Sequence, residues 1–485
     1  MKPERLLRIV ATTLLAATQI SLGAQEQKAK HHHYKLVDMG TLGGPQSVVY
    51  EQGTRSLNNH GTFTGCADTP TLDPNNPQNP YFLYPDFTLD PYIQHVFEWQ
   101  EGEVTNLGAL SGGTSGCTQW INEQGWIVGG STNGAIDPLT GYPEVNAALW
   151  KSGSILNLGT LGGNQSLAWS VNDNGQVVGF GLNDIADPFA VGVFAFGATQ
   201  AHAVLWQNGA ARDLGTLGGP DSDALMVNAS GQIAGMSMTN FTVNGTTGQP
   251  TTDPFLWENG KMIDIGTLGG TFGYPNVLNS RGQIVGASDV AGDVAEHPFL
   301  WERGVLTDLG TLGGSSGEAR WINDAGEVAG WANLAGDQEE HAFLWKKGVL
   351  TDLGALPGSP CSYANGINAS GQVVGAVQQC PNQAPRRAFL WENGDMVDLN
   401  FLIPPNSGVT LINASQSNDR GEVVAEIELA NGDTHAAMLV PDGDCDDNCE
   451  ERIAVGKDAA ASAQLSPESN FAHEKGNTNR NGPGR

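Results

Sequence analysis

The phrase Asp308-Leu-Gly-Thr-Leu-Gly-Gly314 decides the fold of this 485-residue chain, because it recurs along most of its length. Further copies, some of them degraded, begin at Asp38, Asn106, Asn157, Asp213, Asp264, Asp352 and Asp398. The shortest distance between successive copies is 44 residues, as between Asp264 and Asp308. Such a period, with insertions in some repeats, is typical of the about 40–50 residues of a four-stranded propeller blade.

Each repeat contains four short apolar blocks separated by turn residues. Examples are Ser166-Leu-Ala-Trp-Ser-Val-Asn172, Gly175-Gln-Val-Val-Gly179, His341-Ala-Phe-Leu-Trp345 and Val349-Leu-Thr-Asp-Leu353. Short blocks rich in β-branched and aromatic residues predict strands. An Asn-x-x-Gly turn follows the first block, and Asn-Gly often follows the third. Each repeat is therefore predicted to be an antiparallel meander, whose strands we call A to D in chain order.

The number of these blocks predicts an all-β fold, a single β-propeller of eight four-stranded blades over residues 34–443. Eight A–B–C sets and eight D strands are present, but the first D strand, residues 34–39, precedes any A strand. The last set has no D strand after it. We therefore expect the N-terminal strand to complete the final blade, which closes the ring and protects its edges. Seven blades with one degenerate repeat, or an open β-solenoid, are the alternatives.

The recurring phrase and the tripeptide His341-Ala342-Phe343 resemble the HAF family of probable extracellular repeats. The resemblance covers nearly the whole mature chain. It implies export but no particular reaction, and it transfers no catalytic residue. The tripeptide is loosely kept, since the same position reads Asn146-Ala-Ala and Asp253-Pro-Phe in other repeats.

The N-terminus has the pattern of a secretory signal over residues 1–24. Cationic residues Lys2, Arg5 and Arg8 precede a mostly apolar stretch, and small residues at 23–24 offer a cleavage site. A retained membrane anchor is the alternative, but the stretch is short and diluted by polar residues. We predict a secreted or extracellular protein, with a periplasmic or cell-surface location as alternatives. A linker over 25–33 and an acidic, Cys-containing segment with a disordered tail over 444–485 would flank the propeller.

Six cysteines remain after the signal, and an even number in an exported chain predicts disulfides. Nearness in the sequence suggests the pairs Cys361–Cys380 and Cys445–Cys449, which leaves Cys66 for Cys117. A structural zinc site is not favoured, because neither Cys-x-x-Cys pairs nor suitably spaced His partners occur.

The excess of acidic side chains limits the partners. Asp and Glu number 52 against 23 Lys and Arg, which gives a net charge of −29. Such a chain repels phosphate backbones, so we predict no nucleic-acid partner. We expect a monomer that meets a carbohydrate or a protein outside the cell or at its surface. No cofactor is predicted; segment 442–449 lacks the Gly and Glu of an EF-hand loop, and calcium remains an alternative there.

Two repeated residue types have structural explanations. A Trp closes most C strands, and we expect it to fill the space between blades. A His opens the C strand in five repeats: His95, His202, His297, His341 and His435. Equivalent points of separate blades are too far apart to share one zinc ion, so we predict a repeated hydrogen bond from His to the backbone.

Four insertions between the B and C strands of the first four repeats form the predicted binding site. They span residues 68–94, 131–145, 181–201 and 236–252, and the fifth and sixth repeats lack them. Aromatic and carboxylate side chains on loops of a rigid scaffold favour ligand binding, although loops also accept neutral insertions. The candidate ligand-binding residues are Tyr81, Tyr84, Asp86, Tyr92, Asp137, Tyr142, Asp184 and Asp187.

Candidate catalytic residues lie near the starts of A strands: Asp221, Asp223, Glu318 and Arg320. Paired carboxylates at about 5–9.5 Å would suit glycoside hydrolysis, but the sequence does not fix their distances. No nucleophile elbow or cofactor fingerprint occurs. The favoured prediction is therefore an exported, non-catalytic binding scaffold. A secreted carbohydrate-active enzyme, either a glycoside hydrolase or a lyase, and a structural matrix repeat are the alternatives.

Overall fold

The computed structural model describes residues 31–49, 53–75, 91–138, 140–187, 189, 199–245, 248–380, 383–445 and 452–453. These residues form 32 strands, with one short 3-10 helix at Leu399–Phe401. The all-β prediction is confirmed. The strands fall into eight antiparallel groups of four, which we call sheets 1 to 8.

The first four sheets each follow the chain in order. Sheet 1 is β2 (Ser47–Val48), β3 (Phe63–Leu72), β4 (Tyr92–Gln100) and β5 (Glu103–Gly108). Sheet 2 is β6 (Gly116–Ile121), β7 (Ile127–Ile136), β8 (Pro143–Lys151) and β9 (Ser154–Asn157). Sheet 3 is β10 (Ser166–Val171), β11 (Val177–Ala186), β12 (Thr199–Gln207) and β13 (Ala210–Asp213). Sheet 4 is β14 (Ser222–Val227), β15 (Ile233–Val243), β16 (Pro250–Glu258) and β17 (Lys261–Asp264).

The next three sheets repeat the order, and the last takes one strand from the N-terminus. Sheet 5 is β18 (Gly269–Leu278), β19 (Ile284–Val290), β20 (Glu296–Glu302) and β21 (Val305–Asp308). Sheet 6 is β22 (Gly313–Ile322), β23 (Val328–Leu334), β24 (Glu340–Lys346) and β25 (Val349–Asp352). Sheet 7 is β26 (Cys361–Ile367), β27 (Val373–Gln379), β28 (Gln383–Glu392) and β29 (Asp395–Asp398). Sheet 8 is β1 (His32–Asp38), β30 (Val409–Ser417), β31 (Val423–Leu429) and β32 (Thr434–Asp444).

The N-terminal strand occupies the place that the repeat offset predicts. Strand β1 pairs antiparallel with β32, with Leu36 opposite Leu439. Sheets 4 and 5 also touch at one parallel pair, Thr252 with Phe272. Consecutive four-stranded meanders that pack against one another are the arrangement of a β-propeller.

The hydrophobic core lies between neighbouring sheets. One cluster joins Leu300 of sheet 5 to Val328 of sheet 6. Another joins Met438 of sheet 8 to Phe63 of sheet 1, so the last and first sheets share a core. The C-strand Trp residues belong to such clusters, as Trp206 does, and this agrees with their predicted packing role. Burial of both faces of each sheet explains the near-continuous apolar blocks.

In five of the eight sheets the glycine that ends the B block lies opposite a Phe ring on the C strand. Gly235 lies opposite Phe255, and a Cβ at Gly235 would come within 2.6 Å of that ring. Gly330 faces Phe343 in the same way, at 2.9 Å. Any larger residue would displace a fully buried phenyl group, so the pattern of Gly and Phe is a packing requirement.

The recurring phrase forms the turn from strand D to the next strand A. In one copy, Asp213 Oδ1 accepts a hydrogen bond from the amide of Gly215 at 2.7 Å, and Thr216 Oγ1 donates to the Gly219 carbonyl at 2.8 Å. The amide of Gly219 then donates to the Met238 carbonyl at 3.0 Å. The phrase thus ties the D–A turn to the B strand.

A circular series of asparagines joins the eight sheets at their A–B turns. The Nδ2 of each turn asparagine donates to the backbone carbonyl of its counterpart in the next sheet, at 2.9–3.1 Å. The series is Asn58, Asn122, Asn172, Asn228, Asn279, Asn323, Asn368 and Asn418, and Asn418 donates back to Asn58. Each Oδ1 also accepts amide hydrogens of its own turn, so one side chain fixes both the turn and the neighbouring sheet.

We expect Asn228→Ser to lower the free energy of unfolding by about 1.5 kcal/mol, because Ser can cap the turn but cannot reach Asn279. Asn174→Ser is the matched control, since exposed Asn174 also donates to the next sheet, at Ala229. The control should change stability by less than about 0.5 kcal/mol. Equal losses for the two variants in chemical denaturation would show that the buried asparagine has no special role.

Two predicted disulfides are present. Cys66 of sheet 1 bonds to Cys117 of sheet 2, with their Cα atoms 5.2 Å apart. Cys361 bonds to Cys380 within sheet 7, with a Cα separation of 5.6 Å. Cys449, which we paired with Cys445, lies outside the described residues, as do the signal segment and most of the tail.

Candidate functional site

The four predicted insertions lengthen the B–C hairpins of sheets 1 to 4. Strands β3, β7, β11 and β15 have 10 or 11 residues, against 7 in β19 and β23. The extra segments begin at a shared irregularity. In sheets 1 to 3, five residues of the B strand oppose three residues of the C strand: 68–72 oppose 92–94, 132–136 oppose 143–145, and 182–186 oppose 199–201. The described parts of the insertions thus extend the B and C strands of these sheets.

The extended hairpins carry exposed apolar side chains. We call six of them the hairpin patch: Leu72, Ile136, Tyr142, Ile185, Phe241 and Val243, which are 48–64% exposed. Five other large exposed hydrophobic residues lie on the outer D strands, and Val294 lies on the B–C turn of sheet 5. Exposed apolar residues concentrated on one set of loops favour an interaction surface.

The predicted ligand-binding residues differ in their exposure to solvent. Tyr142 and Asp184 are exposed on the hairpins of sheets 2 and 3, and Tyr92 is half-buried at the start of β4. Asp137 is only 1% exposed, and its carboxylate accepts hydrogen bonds from Asn164 and Gln165 of the next sheet. Its carboxylate therefore connects two sheets.

Asp187 lies half-buried directly after β11, where its Oδ1 accepts the amide hydrogen of Phe189 at 2.8 Å. Burial raises its pKa above the usual value despite this hydrogen bond. Its charge in turn contributes to the raised pKa of Asp221, so a predicted binding residue and a catalytic candidate lie near each other. Tyr81, Tyr84 and Asp86 lie outside the described residues.

The repeated histidines bind a side chain instead of the predicted backbone group. In four sheets Nδ1 lies 2.8–2.9 Å from an Asp carboxylate on the D strand: His202–Asp213, His297–Asp308, His341–Asp352 and His435–Asp38. His95 reaches Asn106 at 3.1 Å and, alone in the series, also a backbone oxygen at Thr114. The prediction of a backbone partner was wrong for the other four, because the Asp that opens the phrase pairs with the residue two positions after the His and therefore lies on the same face of the sheet. We call this contact the C–D clamp.

Glu318 and Arg320 form the centre of a polar network that runs along the A strands of sheets 5 to 8, which are β18, β22, β26 and β30. Glu318 is 5% exposed and lies 3.1 Å from Arg320, Oε2 to Nε. Its oxygens also accept hydrogen bonds from Trp331 Nε1 and Asn276 Nδ2, both at 2.9 Å. Burial alone would raise the pKa of Glu318, but Arg320 and these hydrogen bonds outweigh it and hold the pKa below the usual value.

The network continues to both sides of this pair. Arg320 Nη1 donates to Asn365 Oδ1 at 2.9 Å, and Asn365 donates to Asn413 at the same distance. On the other side Tyr274 donates to Glu296 at 3.2 Å, and burial together with the charge of Glu318 raises the pKa of Glu296 to about 7. Sequence reasoning missed Tyr274 and Glu296, because their repeat positions vary between polar and apolar residues and therefore give no signal.

The other two catalytic candidates are apart from this network. Asp223 is 3% exposed and accepts a hydrogen bond from Trp169 Nε1 at 2.8 Å. Asp221 accepts the amide hydrogen of Ala201 at 2.9 Å. Burial raises the pKa of both carboxyls to about 7, and one oxygen of each is buried without a hydrogen-bond partner.

Within the described ranges, no three His, Cys, Asp or Glu side chains are arranged to bind a metal ion. In the same part of the chain, no helix has the length and apolar character needed to cross a membrane.

No protein-family model matches the sequence, and no curated protein matches it. Some solved structures align with it weakly. The β-propeller domain of the Trilobed protease from Pyrococcus furiosus is 8% identical, with a TM-score of 0.39 over 65% of this chain and 93% of that one. TolB from Acinetobacter baumannii is 13% identical, with a TM-score of 0.31 over 66% and 80%. Porphyromonas gingivalis dipeptidyl peptidase 4 is 12% identical, with a TM-score of 0.38 over 84% and 61%. We draw no conclusion from these alignments about activity or ligand.

Proposed function

We propose that the protein is an exported, non-catalytic β-propeller that binds a partner protein through the hairpin patch. The observation that carries the proposal is the placement of six exposed apolar side chains on the four extended hairpins of adjacent sheets. Four of the six are Leu, Ile or Val, which offer no flat ring for a sugar to stack on, and all six pack well against the apolar centre of a protein interface. A protein therefore suits this surface better than a carbohydrate.

As part of the same proposal, the propeller has eight blades, and the N-terminal strand closes the ring. The blades are HAF-type repeats, and the protein is a monomer. The pairing of β1 with β32 and the return of the asparagine series to Asn58 support closure. The two disulfides support an oxidising compartment outside the cytoplasm.

A secreted carbohydrate-active enzyme is the second candidate. Asp223 favours it, because a buried carboxyl with a pKa raised to about 7 has the property of a general acid. Against it, Asp223 is almost fully buried, and both oxygens of Glu318 already accept hydrogen bonds. Loss of glycan cleavage in Asp223→Asn, with cleavage present in the parent protein, would favour the enzyme.

The partner proposal can be tested with peptides selected from a random display library on the mature protein. We expect the triple change of Ile136, Ile185 and Phe241 to Ser to weaken the selected peptides at least about tenfold, which corresponds to about 1.4 kcal/mol of binding free energy. These side chains are 53–56% exposed, so the changes should leave stability nearly unaltered.

The matched control changes Val104, Val305 and Val349 to Ser, since these residues are 41–62% exposed but lie on the outer D strands. Equal affinity of both triple variants would contradict the proposal. A parallel glycan array, with and without calcium and with mass spectrometry of released products, tests the other readings. Glycan binding that depends on the hairpin patch would replace the protein partner, and product release would overturn the non-catalytic assignment.

A further inference from the structure

A cavity lies at the opposite end of the sheets from the hairpin patch. Its volume is about 310 Å³, and it opens between sheets 1 and 2 beside the A–B and C–D turns. Thr62, Glu98, Glu123 and Trp126 contribute side chains to its wall. This volume is at the lower end of the range of small-molecule sites, about 300–1,000 Å³.

Glu98 departs from the repeat at a position that is otherwise apolar. The residues paired at the same place in the other sheets are Leu149, Leu205, Leu256, Leu300, Leu344, Leu390 and Met438. All seven are at most 8% exposed. Sheet 1 thus places a carboxylate where seven other sheets bury an aliphatic side chain.

The Glu98 carboxylate has no internal partner among the described residues: no hydrogen bond or ion pair from them reaches it. Burial raises its pKa, and no compensating charge opposes the effect. A half-buried carboxylate without a donor is unfavourable in the empty protein, and an external donor would relieve this cost.

Two other wall residues depart from the repeat in the same cavity. The fourth residue after the turn asparagine is elsewhere a Gln or Glu: Gln176, Gln232, Gln283, Glu327, Gln372 and Glu422. These long side chains accept a hydrogen bond from the turn asparagine, and some also bond to the end of the C strand. In sheet 1 the residue is Thr62, which is too short to fill this space, and in sheet 2 it is Trp126. The cavity therefore arises from substitutions that are confined to sheets 1 and 2.

The wall has the chemistry of a cation site. The described residues that line the cavity include Glu98 and Glu123 but no Lys or Arg. Arg55 already pairs with Glu123, which leaves the charge of Glu98 uncompensated. Lys151 places its ammonium group 3.3 Å from the centre of the Trp126 ring and does not pair with Glu98. Carboxylates beside an indole ring are the groups that hold ammonium and guanidinium ions.

We propose that this cavity binds a small organic cation, an alkylammonium or guanidinium group, with Glu98 as its counter-ion. The group can belong to a free amine or to a basic side chain of a partner. The site is independent of the hairpin patch, because it lies at the other end of the sheets. The strongly negative net charge of the chain favours the approach of such a ligand.

Isothermal titration of the mature protein at neutral pH and low salt tests this proposal. The probes are butylguanidinium and butylammonium, with butanol and butyrate as neutral and anionic analogues. We expect saturable binding of at least one cation and at least about tenfold weaker binding to Glu98→Gln. Glu98→Leu, which restores the repeat residue, should fold and lose binding as well. Glu103→Gln removes one exposed carboxylate from the same sheet and should bind as the parent protein does.

Several outcomes would overturn the proposal. They are no saturable cation binding below about 10 mM, equal affinity of Glu98→Gln and the parent, or equal binding of butanol. An acetylated, amidated Gly-Arg-Gly peptide distinguishes the two sources. Tighter binding of the peptide than of butylguanidinium identifies a basic side chain, and the reverse identifies a free amine. A glycan that binds in a Glu98-dependent manner, with no response to the cations, would contradict the proposed ligand class.

Discussion

Arg320→Met is expected to lower the free energy of unfolding by about 3 kcal/mol at neutral pH. The change leaves Glu318 buried at 5% exposure without its only ion-pair partner among the described residues. Breaking one side of a buried ion pair costs about 3–5 kcal/mol. The lower end applies here, because Asn276 and Trp331 still donate hydrogen bonds to the carboxylate.

The loss should depend on pH in a defined direction. In the parent protein the pKa of Glu318 is below the usual value, so its ionised form stabilises the fold above the unfolded pKa of about 4.3. That contribution disappears as the pH falls through the folded pKa. In Arg320→Met, burial dominates and raises the pKa of Glu318. The difference between the two proteins is therefore largest above neutral pH and shrinks towards pH about 4.

Two controls separate the ion pair from the loss of packing. Arg281→Met removes an exposed arginine that binds Gln283, with no ion pair to a carboxylate among the described residues, and it should cost less than about 1 kcal/mol. Adding Glu318→Gln to Arg320→Met should recover part of the stability, because the buried charge is then gone. Chemical denaturation of the four proteins gives the coupling energy. A cost below about 1 kcal/mol for Arg320→Met would show that Glu318 is not held by this arginine.

The sequence predicted the strands and their order because the repeat carries its own turn chemistry. The asparagine and glycine of each A–B turn, and the recurring D–A phrase, mark every strand end. The offset of the first D strand also predicted the pairing of β1 with β32. The turn residues do not predict which side chains contact each other across a sheet. The C–D clamp was therefore missed, although its two residues stand 11 positions apart in three of the four sheets that have it.

The candidate sites were harder to predict, because a residue that recurs in every repeat is easily recognised in the sequence, whereas a single substitution in one repeat is not. The insertions stood out by length, and their structure carries the hairpin patch. Glu98 is one substitution within a regular strand, Tyr274 and Glu296 stand at variable positions, and only the fold shows what each of them faces. An alignment of the repeats against one another would have found Glu98, since it replaces a buried Leu or Met in seven other sheets.

Asp253→His is expected to raise the free energy of unfolding by about 2.5 kcal/mol at mildly alkaline pH. The C–D clamp of sheet 4 pairs two carboxyl groups, Asp253 and Asp264, where other sheets pair His with Asp. Burial, the charge of Asp264 and hydrogen bonding to it raise the pKa of Asp253 to about 7. Its Oδ1 is also buried without a hydrogen-bond partner. A His at this position could donate Nδ1–H to Asp264, as His202 does to Asp213.

The sign of this effect follows from the raised pKa. The protonated form of Asp253 stabilises the fold fully below the unfolded pKa of about 3.9, and this stability is lost as the pH rises through about 7. The full shift would correspond to about 4 kcal/mol, and solvent screening at the exposed side of the pair reduces it to about 2 kcal/mol. The new hydrogen bond adds the remainder.

Asp253→Asn isolates the electrostatic part of the effect. It should stabilise the protein by about 2 kcal/mol at mildly alkaline pH and by almost nothing near pH about 4, where the parent carboxyl is protonated. Asp213→Asn is the matched control with the opposite sign. Burial would raise the pKa of Asp213, but the hydrogen bond and charge of His202 and the amide of Gly215 hold it below the usual value, so its loss should destabilise. Denaturation curves that are unchanged by Asp253→Asn across this pH range would show that the two carboxyls of sheet 4 do not repel each other, and the clamp would then tolerate any polar pair.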